Sequence, residues 1–228
     1  MNTLIEDLSL WVYAYHQEVI NMSNINGPVY RLSRRLQFSV LETGAEFNTH
    51  NGKRKGRTTA PGKAPDSRAP KLTNYGQQHR EKQRIRFIYG LNERQFYNTF
   101  VKAQHTKGNT AHNFLFLLES RLDNVVYRMN FALTRRGARQ LVNHGHVLLD
   151  GKKADIPSIS VKPGQIITIK EGSKGIPSIK EALDASVSTK AFVEVDKENK
   201  KGKYVRLPER KELNEEINEA LVVEFYNR

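Results

Sequence analysis

Cysteine is absent from this 228-residue chain, which excludes disulfides, thiolate zinc sites and cysteine nucleophiles and fits a cytoplasmic location. Long apolar runs are missing too. No stretch approaches the roughly 20 residues that a membrane-spanning helix needs, so no membrane partner is expected. Hydrophobic residues make up 38% of the chain, enough to build a core for part of its length rather than all of it. Acidic residues are in short supply, 24 against 37 Lys and Arg, leaving a net charge of +13. That imbalance asks for a polyanionic partner, and nucleic acid is the candidate left once the membrane is set aside. The length fits one large domain or two small ones.

The positive charge is concentrated. Residues 1–21 carry Glu6, Asp7 and Glu18 but no Lys or Arg; lacking a basic n-region, they do not form a secretory signal and read as an N-terminal extension. From Arg31 to Arg94 there are 15 basic residues against five acidic ones. Arg34 and Arg35 open this stretch. Residues 51–65 then lack apolar periodicity and are rich in Gly and Pro, which predicts an arm that orders on a partner, with Lys53, Arg54, Lys55 and Arg57 as phosphate contacts.

Helical signals follow. Tyr75 to Tyr89 reads as a helix carrying Gln78, Arg80, Lys82, Gln83 and Arg86 toward a partner, with Ile85 and Ile88 for packing and Gly90 as its stop. Asn92 is a good cap with Gln95 at capping-box distance, and Phe96, Phe100 and Ala103 then form a buried stripe. Further on, Leu115, Leu118, Leu122, Val125, Val126 and Met129 share one helical face, while Arg121, Asn124 and Arg128 fall on another that should present cations. Asn130 suits a left-handed stop, and Thr134 can cap a short helix to Val142. Its inward face would be Ala138, Leu141 and Val142, leaving Arg135, Arg136, Arg139 and Gln140 outward near a helix N-terminus that favours phosphate. Replacing these three arginines with Gln is accordingly expected to weaken nucleic-acid binding and flatten its salt dependence. Asp150-Gly151 signals a tight hairpin, and Gln165 to Lys170 a strand.

These residues resemble a known family. The run ESRLDNVVYRMNFALTRRGARQLVNHGHVLLDGK from Glu119 to Lys152, with Ile156-Pro-Ser and Val161-Lys-Pro-Gly after it, is similar to the RNA-binding module named after small ribosomal subunit protein four. That module also occurs in pseudouridine synthases, tyrosyl-tRNA synthetases and ribosome-rescue factors. The flanks resemble the ribosomal family itself: Gly27-Pro28, Arg34-Arg35, YGQQHREKQR from Tyr75, IYGLNERQF from Ile88 and the ending INEALVVEFYNR from Ile217. The resemblance implies a structural protein that binds 16S ribosomal RNA early in small-subunit assembly, neighbours small-subunit protein five and other 30S proteins, contributes to translational accuracy and lines the messenger RNA entry path. The alternative is a free RNA-processing or rescue factor using the same module. No homo-oligomer is expected.

Departures and motif tests refine this reading. Where many bacterial members place zinc-binding cysteines, this chain has Tyr30 and Ser33, so no metal or other cofactor is expected. Arg121-Leu-Asp123 mimics a synthase tripeptide, but Asn124-Val-Val continues a helix instead of the synthase pattern, and Asp123 is expected to pair with a neighbouring Arg. Gly56 to Lys63 fails as a phosphate-binding loop in both its glycine spacing and the Ala64 that follows. His144-Gly-His146 lacks a third ligand nearby in sequence and reads as a polar turn. No catalytic residue is nominated and no enzyme activity is expected.

The fold class expected is α+β, a helical lobe plus a small module of two helices on a short antiparallel sheet. The divisions are an extension at 1–21, a basic arm and helical region at 22–118, the module at 119–180 and a C-terminal segment with a hairpin at 181–228 that returns to the helical lobe. Lys71, Tyr75, Arg94, Thr134, His144 and Lys152 complete the RNA-binding set. Affinity should come from phosphate neutralisation, and specificity from the spacing of two basic lobes against folded RNA.

Overall fold

Two hydrophobic cores organise the chain in the computed structural model, which describes residues 28–42, 44, 47, 59–62, 71–185 and 189–227. The extension at 1–21 and the arm residues Lys53, Arg54, Lys55 and Arg57 lie outside the described residues.

The first core is helical. It is built by α1 (Val29–Leu36), α2 (Asn74–Ile88), α3 (Glu93–His105), α4 (Thr110–Glu119) and the last helix, α8 (Glu219–Tyr226). Local chemistry sets the boundaries. Thr73 caps α2 by accepting from the Gly76 amide at 3.2 Å, and Asn92 caps α3 by accepting from the Gln95 amide at 2.8 Å. Between them Gly90 turns the chain at φ +60°, a left-handed conformation that Gly adopts without a Cβ penalty. The stripe Phe96, Phe100 and Ala103 is fully buried. Phe96 meets Phe114 edge-to-face at 5.0 Å between ring centroids, so the aromatics here are core rather than surface platforms.

The second core lies under a five-stranded antiparallel sheet of order β2-β1-β3-β5-β4. The strands are β1 (Val147–Leu149), β2 (Lys152–Lys153), β3 (Ile166–Ile169), β4 (Val193–Asp196) and β5 (Lys201–Tyr204). Asp150 and Gly151, at φ +49° and +79°, make the tight β1–β2 turn. Against the sheet pack α5 (Leu122–Arg128) and α6 (Arg135–Asn143), and α7 (Pro177–Ala185) adds Ile179 and Leu183. Asn130 turns the chain between α5 and α6 at φ +59°, and Thr134 caps α6 by accepting from the Gly137 amide at 3.2 Å. The architecture is α+β. After residue 180 the chain divides between the cores: Phe192, Val193 and Tyr204 belong to the sheet core, whereas Leu213, Ile217 and Val222 join the helical one.

The apolar positions from Leu115 to Met129 do not form one continuous helix. The helix breaks at Ser120 and Arg121, where Arg121 is extended (φ −66°, ψ 140°). A returning segment supplies the reason: the Leu122 amide donates to Ile159 O at 2.8 Å, and the Val161 amide donates to Ser120 O at 2.7 Å. A backbone pairing made from some 40 residues away thus outcompetes helix continuation.

Gly202 illustrates how tightly the module is filled. A Cβ there would stand 2.5 Å from Sδ and 3.2 Å from Cγ of Met129, itself fully buried. Gly202→Ala is expected to cost about 1–3 kcal/mol through overpacking. Urea denaturation would check it; an unchanged midpoint would mean that Met129 moves aside freely.

Candidate nucleic-acid interface

The residues nominated as cations for a partner sort into two groups, one turned into the protein and one facing water. The inward group forms a polar seam between the lobes. At its centre is Glu119, the last residue of α4 and fully buried. It accepts from Tyr89 Oη at 2.6 Å and from Arg128 Nε and Nη2 at 3.0 and 2.8 Å, and the Asn124 side-chain amide donates to it as well. Asn124 Oδ1 in turn accepts from Arg135 Nε at 2.7 Å, and Arg135 Nη1 donates to Glu42 at 2.8 Å. The Arg135 guanidinium lies over the Tyr127 and Tyr89 rings, 4.6 and 5.0 Å from their centroids.

A second knot adjoins it. Asp123 accepts from Arg121 Nε and Nη2 at 3.1 and 3.0 Å and from Arg139 Nε at 2.8 Å. Arg139 also donates to the backbone carbonyls of Gly90 and Tyr89, at 2.6 and 2.8 Å. Through Arg135 and Arg139, α6 is bound to the end of α2, and the two lobes meet across charge-assisted bonds.

The electrostatics follow from burial. Desolvation pushes the Glu119 carboxyl up, but the charge and hydrogen bonds of Arg128, then Arg135 and the Tyr89 hydroxyl, bring it down to about 2. Glu42 is likewise held below the usual carboxylate range: burial opposes this, and Arg135 and Arg128 prevail. Burial and the adjacent Glu119 push the Tyr89 hydroxyl well up, so it stays a hydrogen-bond donor.

Several expectations are therefore corrected. Arg135 and Arg139 do not face outward with Arg136 and Gln140. They turn inward because unpaired carboxylates at Glu42, Glu119 and Asp123 would otherwise be buried at a cost of several kcal/mol each. Arg121, Asn124 and Arg128 do not present cations on an open face either; all three are bonded inside the seam. Weaker binding on replacing Arg135 or Arg139 would thus report on the fold as well as on the RNA interface. Asp123 pairs with Arg, as its position suggested.

On α2 the nominated residues are also largely committed. Arg80 donates from Nε and Nη2 to Leu36 O at 3.0 and 2.6 Å, supplying a partner to a carbonyl at the end of α1. Lys82 is buried, paired with Glu93 at 2.6 Å and 4.6 Å from the centroid of the Phe225 ring, and Arg86 reaches Glu93 at 3.5 Å. Gln78 is buried against Glu224 at 3.0 Å, and Gln83 contacts His79 at 3.3 Å. The Thr134 hydroxyl is occupied by its capping bond.

Facing water are Arg35, Lys71, Tyr75, Arg94, Arg136, Gln140, His144 and Lys152, with Arg34 half-buried. Lys102, Lys107, Lys162, Lys170, Lys201 and Lys203 are exposed too and were not nominated. For Lys201 and Lys203 the signal was available: they alternate with buried Gly202 and Tyr204 in a period of two. Among the described residues no group of three or more His, Asp or Glu is placed to hold a metal ion, and His146 Nδ1 lies 2.8 Å from Ser173 Oγ. No helix among them is long and apolar enough to cross a membrane.

Two family models match the chain. Residues 24–119 match the family model "Ribosomal protein S4/S9 N-terminal domain", and residues 120–167 match "S4 domain". The chain is 54% identical over 209 residues to small ribosomal subunit protein uS4 of Mesoplasma florum, covering 91% of this chain and 99% of that one. It is 55% identical over 208 residues to uS4 of Mycoplasma mobile and 52% identical over 208 residues to uS4 of Streptococcus thermophilus, each match covering 91% of this chain and at least 99% of the relative.

Proposed function

Because the chain belongs to the uS4 family of small ribosomal subunit proteins, we propose that it is a non-enzymatic structural component of the small subunit that binds 16S rRNA early in assembly. The observation that carries this reading is the buried seam, which fixes two lobes with exposed cations in one relative orientation. A rigid pair of basic lobes recognises folded RNA by the spacing of its phosphates rather than by base edges. Small-subunit protein five, other 30S proteins and the messenger entry path are its proposed neighbours, and the cytoplasm its proposed location.

Lys71, Arg94 and Lys152 are the cations of the nominated set whose exposure suits them best to phosphate. Replacing all three with Gln should leave the melting temperature unchanged. It should lower the slope of log affinity against log salt by about 0.7–0.9 for each phosphate that is no longer neutralised.

The reading is tested by binding the full chain to the 5′ domain of 16S RNA and to an equal mass of unrelated structured RNA while monovalent salt is raised. A preference that persists as salt rises, with stable co-sedimentation on small subunits, is the expected result. Equal, salt-erased binding to both RNAs would reduce the chain to a generic basic protein. Free RNA-bound chain without co-sedimentation would indicate a processing or rescue factor instead.

A further inference from the structure

A polar cleft lies where α3 and the end of α4 face the module, with Arg121 among its lining residues. Its volume is ≈ 250 Å³, several times the roughly 30 Å³ share of a water molecule and below the roughly 300–1,000 Å³ of a small-molecule pocket. The floor combines Gln95, Asn98 and Lys102 from α3 with Arg121, Ser158 and Ser160 from the module. Leu117 is its one apolar wall, and no carboxylate lines it.

We propose that this cleft seats one backbone phosphate of folded RNA together with its ribose, gripped by Arg121 and Lys102. The proposal rests on the rRNA-binding reading and assigns that reading a specific seat. Arg121 is held for the task. Its Nε and Nη2 form a fork on Asp123, and its backbone pairs with Ser160, so the guanidinium is fixed before any ligand arrives. Nη1 takes no part in that fork and is the atom left for an anion. Lys102 is exposed and forms no ion pair among the described residues, so it adds a second charge without a competing carboxylate. A phosphate requires N–H and O–H donors, and a ribose 2′-hydroxyl requires a partner able to donate and accept; Asn98, Gln95 and Ser158 meet the second need. Thr99 adds less, because its hydroxyl already donates to Gln95 O at 2.9 Å.

The cleft is suited to a folded polynucleotide rather than to a free nucleotide. It is open, its cations come from two separate elements, and it has no aromatic surface on which a base could stack. One lobe supplies Lys102 and the other Arg121, so a phosphate bound there touches both lobes at once.

The test uses the full chain with Lys102→Gln and Ser158→Ala combined, both at exposed positions outside either core. Arg121 is left intact because its fork with Asp123 supports the fold. Affinity for the 5′ domain of 16S RNA is expected to fall by about thirtyfold or more, the loss of one charge-assisted hydrogen bond plus a neutral one. The salt slope should drop by about 0.7–0.9, one phosphate, with an unchanged melting temperature. In parallel, the matched DNA strand at equal salt should be affected less than the RNA by Ser158→Ala alone. Unchanged affinity and slope in the double variant, while the wild-type chain keeps its preference for 16S RNA, would overturn the seat and leave the rRNA-binding reading standing. A wild-type chain without that preference would overturn both.

Discussion

Replacing Glu119 with Gln is expected to lower the unfolding free energy by about 3–5 kcal/mol, the range found when one partner of a buried ion pair is removed. The reason lies in what the substitution leaves behind. Glu119 is fully buried and receives Arg128 through two bonds, with Arg135 4.0 Å away. Gln keeps the shape but not the charge, so two guanidiniums would share Glu42 alone, which already lies 2.8 Å from Arg135 and 3.8 Å from Arg128. Each kcal/mol shifts the melting temperature of a chain this size by about 2–4 °C, so a fall of roughly 6–20 °C should appear by calorimetry. A change under about 2 °C would show that the seam relaxes or admits water. A variant that stays folded should also lose preference for 16S RNA at high salt more than it loses total affinity, because the exposed cations remain while the lobe spacing does not.

Acid should dissolve the same seam without any mutation. The Glu119 carboxyl sits at about 2 in the folded chain against 4.5 ordinarily, and Glu42 and Glu93 are lowered in the same sense. For Glu93 burial raises the carboxyl, but hydrogen bonds from Lys82 and Tyr226 outweigh it. A carboxylate whose folded pKa is depressed contributes its full stability above the unfolded value, and that contribution disappears as pH falls through the folded one. Stability from these groups should therefore be level above about pH 5 and fall steeply between roughly 4.5 and 2, with Glu119 alone contributing about 3 kcal/mol of the loss. Denaturant midpoints across pH 2–7 would measure it. Glu119→Gln should show a shallower acid slope than the parent; parallel slopes would mean that other carboxylates carry the transition.

Local signals in the chain were sufficient for the local structure. Asn92, Thr134, Asn130 and the Asp150-Gly151 pair act within three or four residues of themselves, and each does in the fold what its chemistry dictates alone. The stripe of Phe96, Phe100 and Ala103 is equally self-contained, because helical periodicity is a property of neighbours. The Glu119–Lys152 run and its flanks carried the family.

The site was less legible because a charged residue has no intrinsic direction. Arg135, Arg136 and Arg139 are consecutive members of one basic cluster, yet only Arg136 is exposed. Arg135 finds Glu42, 93 residues earlier in the chain, and Arg139 finds Gly90 O, 49 residues earlier. The break at Arg121 has the same origin in the segment that returns at residues 159–161 and forms an isolated β-bridge with it.

The sequence by itself determined the polyanionic partner, the α+β class and the boundaries of the locally capped elements, since charge total, periodicity and capping are summed over neighbours. Which arginines turn into the protein and which face water was decided only by the tertiary structure. Burying a carboxylate between lobes makes pairing obligatory, and the nearest guanidinium in space, not in sequence, supplies it.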